Sequence, residues 1–218
     1  MEMTIGSLKR LIAESIGETF KHVGFAPDKT NTWYTAKEGK RKVAKVFVAT
    51  YNYLPNSIEF SFIFQLFIPE IDEERKKLCI AQGIDYQAGP TFTIAEGFFY
   101  HKLASLSPKH KNAFSHVIKS DEDISSAISD ANDIIKKELI PQLVSLFNLE
   151  SFQKWVSRNM EIVGSSPLLL PALIASRLSS SSDFLLTLSV IKSDQYFQSL
   201  PESDFIKKSV LDYENYYS

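Results

Sequence analysis

The chain has 218 residues, enough for one large domain or for a domain with an appendage. Hydrophobic residues make up 44% and charged residues 23%, and 24 Lys plus Arg stand against 26 Asp plus Glu, so no bulk positive charge argues for nucleic acid or an anionic membrane. Cys79 is the only cysteine, which excludes an intrachain disulfide and favours a reducing compartment. Met1 to Arg10 lacks the basic-then-apolar order of a secretory signal, and no apolar run reaches the ~18–20 residues that span a bilayer. A cytoplasmic protein without a membrane segment is expected.

Ser7 to Val23 reads as a helix, with Ser7 as N-cap and one apolar stripe of Leu8, Leu11, Ile12, Ile16, Phe20 and Val23. Gly17 inside it costs ~1 kcal/mol against Ala, so packing must hold it. Gly24 suits the position after the helix, and Pro27 prevents an immediate restart. Three extended runs follow: Asn31 to Ala36, Val43 to Tyr51, and Ser57 to Ile68. A charged turn with Gly39 at its tip joins the first two, and Leu54 to Ser57 joins the second to the third, as in an antiparallel meander.

The third run organises the rest. Ile58, Phe60, Phe62, Phe64, Leu66 and Ile68 fall on one face, and Glu59, Ser61, Ile63, Gln65 and Phe67 on the other. Burying the first face is worth on the order of 10 kcal/mol before chain entropy is subtracted, so it demands a cover. Pro69 ends this strand. Asp72 to Ile80 has acids before bases, as in a short exposed helix. After a loop from Gly83 to Pro90, Thr91 to Ala95 and Gly97 to Leu103 form a fourth extended segment, with a break at Gly97 that suits a bulge. Ser105 to Ser115 is a polar loop.

Ser120 to Asp123 has the character of a capping box, and Ile124, Ile128, Ala131, Ile135, Leu139, Leu143 and Leu146 form a long helical stripe that Pro141 should kink or split. Leu149 to Met160 is another helix, and residues 164–167 are a break. Three short helices then follow: Leu168 to Leu178, Asp183 to Leu200, and Asp204 to about Tyr213. The serines at 179–182 act as a turn and cap between the first two. The expected class is α+β. A mostly antiparallel four-stranded sheet within residues 31–103 is covered on one face by the first helix and the helix from Ser120. Residues 1–163 form the α+β domain, and 164–218 a helical extension packed on the same core or beside it.

The common catalytic and nucleotide-binding signatures are absent, and neither a metal nor a cofactor is called for. Lys40, Arg41, Lys42 and Lys45 form a basic run near Trp33, Tyr34, Tyr51 and Tyr53. Cations and aromatics on a sheet can bind single-stranded nucleic acid, but they equally describe a solvated hairpin tip with cross-strand aromatic pairs. His101, His110 and His116, followed by Asp121 and Asp123, match no metal-ligand spacing and read as exposed loop side chains. His22 suits the C-terminal end of its helix as a cation. Glu96, beside Gly97, is the one acid in an apolar stretch; pointing inward, its raised pKa would make it a candidate base. With His101 and His116 it makes the alternative polar site. Asp72, Glu73 and Glu74 read as a first helical turn rather than a cation site, and Cys79 as a buried inert thiol. Asp212 to Ser218, rich in tyrosine and acid, suits an interface or a frayed end.

Several short marks occur together. The first helix ends in His22, Val23, Gly24 and Phe25. Thr32, Trp33 and Tyr34 open the first strand, Ile140 to Leu143 carries a proline within the later helix, and Leu149 to Phe152 follows it. From about Leu8 to Trp155 the chain resembles the uncharacterised bacterial proteins grouped as domain-of-unknown-function family 4304. The resemblance implies an α+β domain and carries over no catalytic residue. Some small bacterial domains of this kind act as immunity or accessory partners of toxins, so it favours a protein-binding role. The leading expectation is a non-enzymatic protein-binding or accessory protein, immunity-like in kind, with a protein partner. The alternatives are an enzyme using scattered acids and histidines, and a single-strand nucleic-acid binder.

Overall fold

The structure, a computed structural model, describes residues 5–28, 33–54, 57–95, 116–120, 122–160, 168–179 and 181–217. The fold is α+β, with an antiparallel sheet, helices and a helical C-terminal part. The chain divides into two compact units, Met1–Leu66 with Thr93–Val144, and Phe67–Phe92 with Ser145–Ser218. This division does not follow chain order, and the expected boundary between residues 163 and 164 falls inside the second unit.

The first unit is built on the sheet. Strands β1 (Phe25–Pro27), β2 (Trp33–Glu38), β3 (Arg41–Leu54), β4 (Ser57–Leu66) and β5 (Phe92–Ala95) lie in that order, and β6 (His116–Ile118) also pairs with β4. Among the described residues the sheet has six strands where four were expected. Both β1 and β6 are three residues long, too short for any alternation to show in sequence. Among the described residues strand β1 pairs only with β2, which puts Pro27 on an edge where its missing N–H costs no ladder bond. The segments 97–103 and 105–115, expected as strand and loop, lie outside the described residues.

The even-numbered face of β4 is the core, as its period-two pattern demands. Phe60, Phe62, Phe64 and Leu66 are at most 1% exposed, with Val48 and Val46 opposite Phe62 and Phe64 on β3. Helix α1 (Ile5–Lys21) buries Leu8, Ile12, Ile16 and Phe20 and packs on β1, β2 and β3, with Phe20 reaching Phe62 of β4. The Phe20 ring meets Phe25, Tyr34 and Phe62 at centroid distances of 5.4, 5.6 and 6.3 Å. Helix α3 (Asp123–Ile134) packs against α1 and β6, and the Thr19 hydroxyl donates to Asn132 Oδ1 at 3.1 Å. Asp123 performs the reaching-back half of the capping box: its carboxylate accepts from the Ser120 N–H at 2.9 Å and the Lys119 N–H at 3.1 Å. Before Pro141 the chain widens into a π-turn, Ile135–Leu139, in which the Ile140 N–H donates to the Ile135 carbonyl. Helix α4 (Ile140–Val144) follows, so the expected split at Pro141 takes the form of a changed hydrogen-bond register.

In the second unit, α2 (Pro69–Ala81) starts three residues earlier than the charge pattern suggested. Pro69 is its first helical residue, where the missing N–H is one of the orphans anyway, rather than only a strand stop. Asn148 caps α5 (Leu149–Arg158) by accepting from the Ser151 N–H at 2.9 Å. Phe152 of that helix stacks on Phe92 at 5.1 Å. Helix α6 (Leu169–Ser179) is buried all round from Leu169 to Ser176, as expected of a helix apolar on every side. The expected helix from Asp183 to Leu200 is two, α7 (Ser181–Ser193) and α8 (Gln195–Ser199). They divide at Asp194, whose carboxylate accepts the Tyr196 N–H at 2.8 Å as a fresh N-cap. Asp204 caps α9 (Phe205–Tyr217) in the same way, accepting the Ile206 N–H at 2.7 Å. Among the described residues no helix is long and apolar enough to cross a membrane.

Candidate functional site

On the odd-numbered face of β4, Glu59, Ile63 and Gln65 are half-buried and Ser61 is buried, where the even-numbered face is closed from Phe60 to Leu66. Residues opposite each other in a sheet point to the same side, so the register defines this outer face row by row. Trp33, Phe47 and Ile63 form one row across β2, β3 and β4. Thr35, Lys45 and Gln65 form the row on one side of it, and Ala49 with Ser61 the row on the other. Beyond Ser61, Tyr51, Glu59 and Val117 stand opposite one another.

The central row is aromatic and pre-formed. The Trp33 and Phe47 rings lie 4.2 Å apart between centroids with a 33° tilt, and the Lys45 ammonium sits 3.5 Å from the Trp33 centroid. A half-exposed cation–π contact of this kind is worth ~0.5–1 kcal/mol. Toward the hairpin tip the register slips at Ala36/Lys37. Ala36 pairs with Ala44, but Lys37 pairs with Lys42, so Val43 is the extra residue of a bulge. Val43 and Ala44 are both buried, at 1% and 0% exposure. Strict alternation would have sent Lys42 to the inner side; the bulge places it on the outer face with Lys37 and Lys45. The tip is a two-residue turn with Gly39 at φ 62°, where a side chain would be strained.

The expected binding residues fall in different places. Trp33 is half-buried on the outer face. Tyr34 points the other way, 4% exposed, and its hydroxyl donates to the Ala13 carbonyl at 2.6 Å. Burial pushes its pKa up, aided by the nearby charges of Glu14, Glu18 and Asp28. Tyr34 is thus a core residue and no part of a stacking surface. Lys40 and Lys42 are exposed, and Arg41 is ion-paired with Glu38 at 2.7 Å. Tyr51 and Tyr53 lie in β3, but their side chains are outside the description.

The alternative polar site is not assembled among the described residues. Glu96, His101 and His110 lie outside them, and His116 is placed only by its backbone, opposite Phe60. Two acids of α2, Asp72 and Glu74, are engaged in ion pairs. Asp72 Oδ1 lies 2.7 Å from Arg75 Nη2, off the N–H axis, so the attraction is coulombic rather than a hydrogen bond. Glu74 pairs with Lys77 at 2.6 Å and Arg177 at 3.1 Å. Burial raises the Asp72 pKa, with Arg75 and a hydrogen bond from Tyr86 opposing it. Cys79 is buried at 8% exposure. Among the described residues no group of three or more His, Cys, Asp and Glu is placed to hold a metal.

The chain matches no family model, and no similar protein was found among curated proteins or solved structures. Two members of the outer face, Phe47 and Lys37, escape a reading of the sequence by local motif. Phe47 could have been found by carrying the alternation of Ile63 across the hairpin. Lys37 could have been found the same way, since it continues the alternation of Trp33 and Thr35 along β2.

Proposed function

We propose that this protein is a non-enzymatic binding protein that takes a protein partner on the outer face of its sheet. The observation that supports it is the Trp33, Phe47 and Ile63 row, three large apolar side chains that line up across the outer face and are left only half-buried. Aromatic side chains lose little rotamer freedom when they bind, and Trp is among the commonest energetic anchors of interfaces. The narrower reading, a toxin-neutralising accessory protein, is supported by the resemblance of residues 8 to 155 to domain-of-unknown-function family 4304. Nucleic acid has less support: the chain carries a net charge of −2, and Tyr34, one of the aromatics beside the basic run, is buried in the core. The enzyme reading rests on Glu96, His101 and His116, whose side chains lie outside the described residues.

The test is a pull-down from the native host with the full chain, alongside a W33A/F47A variant. A partner held by the wild type and lost by the variant, with both proteins unfolding cooperatively, supports the reading. Turnover of a small substrate that survives W33A/F47A, with no partner retained, overturns it.

A further inference from the structure

The outer face is polar along its length, and that polarity specifies the partner. At one end the bulge gathers Lys37, Lys42 and Lys45, and at the other Glu59 stands on the same side. The aromatic row lies between them. Lys37 and Lys42 are directly opposite each other, an arrangement that costs stability in an antiparallel pair. From Trp33 to Phe47 the sequence has five cations and one acid, in a chain whose net charge is −2. The basic character is therefore local, and three of these cations, Lys37, Lys42 and Lys45, fall on the side that carries the half-buried Trp33 and Phe47.

Building on the proposed protein-binding role, we infer that the partner is an acidic protein segment. Its carboxylates lie over Lys37, Lys42 and Lys45, and an apolar side chain next to them rests on Trp33, Phe47 and Ile63. Complementary charge sets orientation and encounter rate, and the apolar anchor supplies most of the affinity. A polynucleotide fits less well: a phosphate chain running along the strands leaves the lysines and meets Glu59, and the rest of the chain repels it.

The experiment is a display screen of random peptides against the full chain. Enriched peptides are then titrated by fluorescence anisotropy against the wild type, K37E/K42E, K37Q/K42Q and W33A/F47A, with a thymidine oligonucleotide as a second probe. The expected result is enrichment of peptides joining Asp or Glu to a large apolar residue. Their binding should weaken at least ten-fold in K37E/K42E, by a smaller factor in K37Q/K42Q, and with rising salt. The glutamine variant controls for damage by charge reversal. Neutral or basic peptides that depend on Trp33 and Phe47 but not on the lysines overturn the acidic-partner inference and leave the binding face standing. Tighter binding of the oligonucleotide than of any peptide, with loss in K37E/K42E, overturns it in favour of nucleic acid. No enrichment, or binding indifferent to every variant, overturns the inference and the face together.

Discussion

The Tyr34 hydroxyl lies directly against Gly17, and only a residue without Cβ leaves it room to reach the Ala13 carbonyl. A helix-interior glycine, unfavourable by ~1 kcal/mol against alanine, is thereby explained by the strand it packs on. G17A gains that propensity but must displace the tyrosine, losing a buried hydrogen bond and overpacking the interface. A net destabilisation of about 1–3 kcal/mol is expected. In a Y34F background the oxygen is gone, and the same substitution should cost about 1 kcal/mol less. Urea unfolding of the four proteins at constant m-value measures the coupling; strict additivity would show that the two residues do not constrain each other.

Asp72 gives a pH signature. Its folded pKa is raised by burial, so between the unfolded and folded values the native state holds the proton that the unfolded chain has released. That contribution is full below the unfolded value, near 3.8, and fades as pH rises through the folded one. The stability of the wild type relative to D72N should therefore rise as pH is lowered from neutral toward 4. Parallel curves, or a relative fall on acidification, would show that burial does not dominate at this carboxyl.

Thr91 clips the chain that leaves β4. Its buried hydroxyl accepts the Ile68 N–H at 2.7 Å and donates to the Ile68 carbonyl at 3.3 Å. T91V keeps the shape but orphans a buried donor, at an expected cost of about 1–3 kcal/mol. T91S restores the hydroxyl and should recover most of that cost in chemical denaturation. A stable T91V beside a destabilised T91S would point to the packing of the methyl group instead.

Where the pattern is long, the fold was legible. The alternation from Ile58 to Ile68 identifies the core face, and the α1 stripe identifies its cover. Strands β1 and β6 are too brief to carry a period, so they are set by what they pair with. Pro69 marks both the end of an extended run and the start of a helix, and its position alone cannot say which dominates. Asp194 looks like one more polar residue of a helix until its carboxylate is seen capping the next turn. The outer face was half legible: Trp33 and Lys45 stand out by type. Tyr34 looked equivalent to Trp33 but alternation turns it inward, and the placement of Lys42 opposite Lys37 depends on a bulge that no local residue type announces.

That bulge leads to a stability measurement independent of any partner. Lys37 faces Lys42 across β2 and β3, and like charges directly opposite in a sheet repel. K37E replaces the repulsion with attraction and should stabilise the chain by ~0.2–1 kcal/mol at low salt, with the gain shrinking as salt is added. Thermal or urea unfolding of K37E and of K37Q separates the two contributions, because glutamine removes the repulsion without adding a pair. An ordering of K37E above K37Q above wild type would show that the natural sequence accepts a less stable hairpin to keep its lysines together. Wild type at the top would mean that the two ammonium groups are held apart or compensated within the fold, and that their placement costs nothing.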